Sequence, residues 1–267
     1  MQSTRFVLPG PQTGIKHERC YANGDSNCSS KISKEHFISA NYLEQLQLNN
    51  TAKVAGLTWQ APETFNLVPV KTLASNILCE RHNNALSPLD AVFGTFTEMV
   101  REFDRPGSTH SEGRTTSGSD IELWMLKCLL GMTASGNVKG TLKAECGDIL
   151  FGRSDWPEGW GLYFSNGASE QIYHSDSLLI ETLVSPENVI LACKFFVQGL
   201  PFLLVMGKPD NPQNVGVWRP SAIVFKSPDC EKTITLSWDG GCGPGICLTR
   251  TGRYDGPSPN WKEWEKK

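Results

Sequence analysis

The chain lacks most of what would assign it quickly. It has no strong charge of either sign: 25 Lys and Arg stand against 28 Asp and Glu in 267 residues, a net charge of −3. A field that draws in nucleic acid over the whole surface is excluded, so any polyanion site must rest on local basic residues. Long apolar runs are also missing. The stretch Val197–Met206 is broken by Gln198, Gly199 and Pro201, and nothing approaches the ~20 residues of a membrane helix, so a soluble chain with no membrane partner is expected. No basic-then-apolar segment opens the N-terminus, and the nine cysteines are an odd number. Both fit a reducing, cytoplasmic setting, with some thiols on metal and the others buried as small hydrophobes. A Gly-x-x-x-x-Gly-Lys-Ser/Thr phosphate loop does not occur, nor does an internal repeat.

What is present is concentrated between Cys20 and Asp90. Cys20 and Cys28 enclose Asn23-Gly24-Asp25-Ser26-Asn27, dense turn chemistry able to wrap a loop around an ion. Cys79 and His82 form a second pair at knuckle spacing. Four soft-to-borderline ligands in two pairs suit one tetrahedral zinc. Glu35-His36 and Asn83 lie beside these pairs, and a carboxylate with an amide suits a second, harder cation such as Mg²⁺ or Mn²⁺. Lys31, Lys34 and Arg81, with Lys53 and Lys71 further off, could meet phosphates.

Charge divides at residue 85. Eight Lys and Arg face six Asp and Glu before it, and 17 face 22 after it. Periodicity predicts a strand over Lys31–Ser39 with Ile32, His36 and Ile38 on one face and Glu35 on the other. A short helix over Asn41–Leu48 and strands over Val54–Trp59 and Phe65–Thr72 follow. Ser87-Pro88-Leu89-Asp90 reads as a helix start, with a helix to about Phe103 burying Leu89, Val92, Phe93, Phe96 and Val100. Residues 105–119 are small and polar and read as a linker; Asp120 then caps a helix over Ile121–Leu130.

From Gly140 the pattern becomes strands: Leu142–Cys146, Gly161–Phe164, Leu178–Val184, Val189–Val197, Phe202–Met206, Ser221–Phe225 and Thr233–Trp238. The predicted class is α+β: a metal-pinned module over 17–104, a linker over 105–119, and a helix plus mostly antiparallel sheet over 120–260. In that second part Trp156, Trp160, Trp218 and Trp238 could stack on a ring, and Asp155 and Glu158 could pair, although aromatics in a sheet are more often core. Cys230, Cys242 and Cys247 are spaced too loosely for a knuckle.

The segments Cys20…Cys28, Lys31-Ile-Ser-Lys-Glu-His-Phe-Ile-Ser39 and Ser75-Asn-Ile-Leu-Cys-Glu-Arg-His-Asn-Asn-Ala-Leu-Ser-Pro-Leu-Asp90 resemble the HNH nucleases of the treble-clef, ββα-metal group. The resemblance spans residues 17–104. It implies a structural zinc on Cys20, Cys28, Cys79 and His82, with His82 alternatively serving the catalytic ion. It further implies Glu35 and Asn83 as ligands of a catalytic Mg²⁺ or Mn²⁺, His36 as general base, and Asn76 orienting the His36 ring. The implied activity is hydrolysis of DNA, with Lys31, Lys34 and Arg81 against the phosphates. By analogy alone, an HNH enzyme joined to an unrelated domain resembles restriction and antiphage-defence effectors, with a protein partner or effector bound by the C-terminal part. The competing expectations are a zinc-stabilised module that binds nucleic acid or a protein without cutting, and a chain whose function sits in the C-terminal part as a ligand sensor or glycan binder.

Overall fold

The computed structural model describes residues 8–46, 50–61, 64–104, 110–164, 177–226, 230–243 and 245–249. The expected turn at Pro62-Glu63, the first residues of the expected linker and the tail past 249 lie outside them. Strand β1 (Ile32–His36) leads through α1 (Ala40–Leu46), β2 (Thr51–Ala55) and β3 (Asn66–Pro69) to β4 (Ala74–Cys79). Helix α2 (Glu80–Phe103), β5 (Glu112–Ser117), α3 (Gly118–Ala134) and α4 (Glu145–Leu150) follow. The remaining strands are β6 (Gly161–Phe164), β7 (Ser177–Val184), β8 (Ile190–Val197), β9 (Leu200–Val205), β10 (Ala222–Lys226), β11 (Glu231–Ser237) and β12 (Ile246–Thr249). The protein is α+β and rich in antiparallel pairing, as expected.

Among the described residues three sheets result. β1 and β4 form an antiparallel pair with Ile32 opposite Cys79 and His36 opposite Ala74. A six-stranded sheet runs β3-β2-β7-β8-β9-β6, and a four-stranded one runs β12-β10-β11-β5. The larger sheet crosses the expected module boundary, because β2 pairs in parallel with β7. Its central strands β8 and β9 are buried almost throughout, the pattern of strands covered on both faces. One apolar core runs from Phe37 and Tyr42 through α2 and α3 to Phe202 and Ile234. Phe93 stacks on Trp124 with centroids 3.3 Å apart, and Tyr42 meets both rings edge-on.

Several elements differ from their predicted form. Helix α2 starts seven residues before Ser87, so Pro88 sits inside it. Proline removes the bond that the Asn84 carbonyl would accept, but the Ser87 hydroxyl donates to that carbonyl at 2.9 Å. Ser-Pro is here a tolerated interior pair. The buried stripe of α2 extends past the expected one to Leu86 and Phe103, with Val92 at its edge. Within the expected linker stand β5, in parallel register with β11, and the start of α3. Ser117, not Asp120, caps α3: its hydroxyl accepts from the Asp120 N–H at 3.0 Å. Residues 145–150, partly read as a strand, are helical. Among the described residues no helix is long and apolar enough to cross a membrane.

Candidate metal centre

The β1–β4 pair and the start of α2 build the site. Cys79 ends β4 and is the residue before α2, so the first helical turn carries His82 back over the Cys79 sulfur. Cys20 and Cys28 arrive on the loop that precedes β1. That loop is tied down by Tyr21 N–H to the Ile77 carbonyl (3.0 Å) and by Glu80 N–H to the Lys31 carbonyl (3.0 Å). The four donor atoms lie within 4.8 Å of one another and all four residues are buried. His82 Nδ1 stands 3.1 Å from Cys79 Sγ, 3.6 Å from Cys20 Sγ and 3.8 Å from Cys28 Sγ. A tetrahedral ion with ordinary zinc–sulfur and zinc–nitrogen bonds needs donor separations of about 3.5–3.8 Å. The cluster fits that ion, so this Cys3His set could bind a structural zinc.

Charge and hydrogen bonding agree with the fit. Burial pushes the Cys20 and Cys28 thiols up, so without a metal both keep their protons. Cys79 is also penalised by burial, but the backbone N–H groups of His82 and Ser29 outweigh that and hold its thiol below the ordinary range. Burial holds His82 below its usual value despite nearby Asp25, leaving a neutral ring able to donate its Nδ1 lone pair. The outer nitrogen, Nε2, faces Asp25 Oδ2 at 3.5 Å, too long for a strong hydrogen bond. Asp25 in turn meets Arg153 Nη1 at 3.4 Å, and the Phe151 ring packs edge-on against His82. A carboxylate behind a ligating histidine fixes its tautomer and orientation.

Glu35 and His36 close β1, and Asn83 follows His82 in the first turns of α2. The Glu35 side chain turns inward, and Asn83 is among the groups that help hold its carboxylate charged against burial. Glu35 Oε1 also receives the Lys127 ammonium at 2.7 Å, and that ammonium contacts both Asp90 oxygens at 2.7 and 2.6 Å. A divalent ion fits there only once the ammonium leaves. His36 is half-buried, without a hydrogen-bond or ion-pair partner among the described residues. Burial, then Lys34 and Lys127, hold its pKa below the usual value, with Asp90 and Glu44 opposing.

Asn76 is exposed and lies at the bulge between the Ser33–Leu78 and Glu35–Ser75 pairs, with no hydrogen bond to His36 among the described residues. Lys31 and Lys34 are exposed, whereas Arg81 gives its guanidinium to the Gly10 and Pro11 carbonyls.

The sequence reading missed Asp25, Asp90, Lys127 and Arg153. Lys127 carried the clearest signal, one of two charges, with Glu122, inside the apolar run Ile121–Leu130, and a buried charge must find a partner. Of the other candidates, Trp156, Trp160, Trp218 and Trp238 are all partly buried against the core. Cys242 is exposed and Cys230 half-buried, and the side chain of Cys247 lies outside the described residues. No family model, curated protein or solved structure matches the chain.

Proposed function

We propose that the chain is a zinc-stabilised HNH-type endonuclease that hydrolyses DNA phosphodiester bonds, with residues 120–260 directing or restraining it. One observation carries the reading. Knuckle, strand pair and helix meet around the Cys3His cluster in the order of a treble clef, with Glu35 on the first strand and Asn83 in the first turns of the helix.

Each role follows from the surroundings. A depressed pKa keeps His36 neutral at pH 7, ready to take a proton from water. Glu35 and Asn83 offer one carboxylate and one amide, and a hydrated Mg²⁺ or Mn²⁺ held there would neutralise charge on the phosphate and the leaving oxygen. Lys31 and Lys34, exposed on the same strand segment, are placed to meet the backbone of the substrate.

The test is nicking of supercoiled plasmid with Mg²⁺ or Mn²⁺. His36→Ala should slow it at least about 100-fold, the lower end of what a general base contributes. The wild-type rate should rise with pH and level off below the ordinary histidine value of 6.5, since the His36 pKa is lowered. Equal nicking by both proteins would remove His36 from the role.

A second reading, a zinc-pinned module that holds nucleic acid or a protein partner without cutting, is favoured by one contact: the Lys127 ammonium already neutralises Glu35. Under it the wild type binds without turnover and the alanine variant binds equally well.

A further inference from the structure

We infer that Glu35, Asp90 and Asn83 form one hard-cation site whose resting occupant is the Lys127 ammonium, so that a divalent ion enters only by displacing that side chain. The inference rests on the proposal above for Glu35 and Asn83 as ion ligands; Asp90 and Lys127 are added by the geometry.

Three observations converge. First, the ammonium donates to three carboxylate oxygens at 2.6–2.7 Å and is 2% exposed, against 8% for Glu35 and 22% for Asp90. A cation is therefore demanded here, and Asp90 supplies the opening to solvent. Second, two carboxylates and one ammonium leave a charge of −1 in a desolvated place, which a divalent ion in its stead would cancel. Third, Asp90 is held by more than Lys127: Trp124 Nε1 donates to Asp90 Oδ1 at 3.2 Å. Asn83 and Asp90 lie seven residues apart, hence on one face of α2. The Tyr21 hydroxyl is shut off from solvent and has no hydrogen-bond partner among the described residues, and both carboxylates help hold its proton on.

Carboxylate, carboxylate and amide oxygens with room for water are what Mg²⁺ and Mn²⁺ accept. Two cations cannot share these oxygens, because they repel at contact distance in a low dielectric. Lys127 is therefore a positioning residue in the resting chain and a competitor of the ion.

Trp124 makes the site readable. Tb³⁺, an oxygen-seeking probe ion, bound beside Asp90 should emit on excitation of that indole, and Mn²⁺ should quench the signal by competition. In the zinc-loaded full chain, Lys127→Met should lower the half-saturating Tb³⁺ concentration by at least about 10-fold, since it removes the competitor. Adding Asp90→Asn should abolish the emission. The inference is overturned if a folded Lys127→Met chain binds Tb³⁺ no better than wild type, or if emission survives Asp90→Asn. Should Lys127→Met fail to fold, Asp90→Asn alone decides: it must weaken the Tb³⁺ binding of the otherwise native chain, and equal binding refutes the site. Plasmid nicking is scored separately. Ion binding without nicking sinks the nuclease reading alone, and nicking without Asp90-dependent binding sinks this inference alone.

Discussion

Withdrawing the metal from Cys20, Cys28, Cys79 and His82 should melt residues 8–31 and leave the sheets standing. Between residues 8 and 31 the only buried side chains are Cys20, Ala22 and Cys28, and the largest regular element is a three-residue 3-10 turn, Asn23–Asp25. With so little apolar surface to bury against the cost of ordering its backbone, the segment is held by a few links, such as Cys28 N–H to the Ile15 carbonyl at 2.9 Å, and by an ion that joins its two cysteines to Cys79 and His82. A site filled at about 1,000 times its dissociation constant adds about 4 kcal/mol to the closed form, a factor of about 1,000 in the opening constant. Hydrogen exchange would read it directly, on a zinc-loaded chain and on one stripped by chelator, with zinc counted in each. The Tyr21 and Cys28 amides should lose protection by about 1,000-fold while amides of β8 and β9 keep theirs. Cys28→Ser should reproduce the loss without chelator. Unchanged protection of both amides in a chain shown to be zinc-free would refute the reasoning.

Two further outcomes test the fold that carries the site. Glu122 is buried, with Oε1 accepting from the Leu162 N–H and from Arg219 Nη2 at 2.7 Å each. Burial, opposed by Arg219, pushes its carboxyl up to about 7 from an ordinary 4.5. The folded chain therefore binds this proton more tightly than the unfolded one, and the stability it contributes is full below 4.5 and lost as pH rises through about 7. Wild type should lose Tm relative to Glu122→Gln across that window, and parallel Tm curves would show Glu122 to be an ordinary carboxylate. Gly56 holds φ +93° beside β7, where a Cβ would overlap the Ile180 carbonyl oxygen. Gly56→Ala should cost about 3 kcal/mol or more from strain and displacement of the β2–β7 pairing, read by denaturant titration. A loss under about 1 kcal/mol would mean that the strand pair yields easily.

How much of this was legible depends on the range of the interaction that fixes each element. The four residues of the Cys3His cluster could be grouped because their chemistry is distinctive and their spacing is local within each pair. Glu35 and His36 could be assigned to opposite faces because alternation needs only neighbouring residues. Helix α2 defeated the reading because Ser87-Pro88 is the local signature of a start. What overrides it is the geometric need of His82 to sit one turn after Cys79, together with a single hydroxyl that satisfies the carbonyl Pro88 leaves open. β5 could not be read at all. Glu112-Gly-Arg-Thr-Thr-Ser117 has turn composition and becomes a strand only because β11, some 120 residues later, offers an edge. Lys127 was visible as an anomaly, but its partners on β1 and α2 were not, since nothing local joins residues 35, 90 and 127.

That same non-locality bears on how the metal centre is held. Asp25 accepts from the Asn27 N–H at 3.0 Å with one oxygen and turns the other toward His82 and Arg153. Arg153 is anchored by Asp148 at 2.7 Å, and Phe151 covers the imidazole. The outer face of one ligand is thus set by the segment just past α4, which the sequence assigns to the other half of the chain. Strand β2 likewise needs β7 on one edge. A fragment ending near residue 104 would keep all four ligands yet expose the His82 ring, leave Asp25 without its cationic neighbour and free an edge of β2. Because orientation of a ligating histidine governs how well it holds its ion, the affinity of this cluster for zinc should belong to the whole fold, and a shift of α4 reaches His82 through both the Asp25 carboxylate and the Phe151 ring.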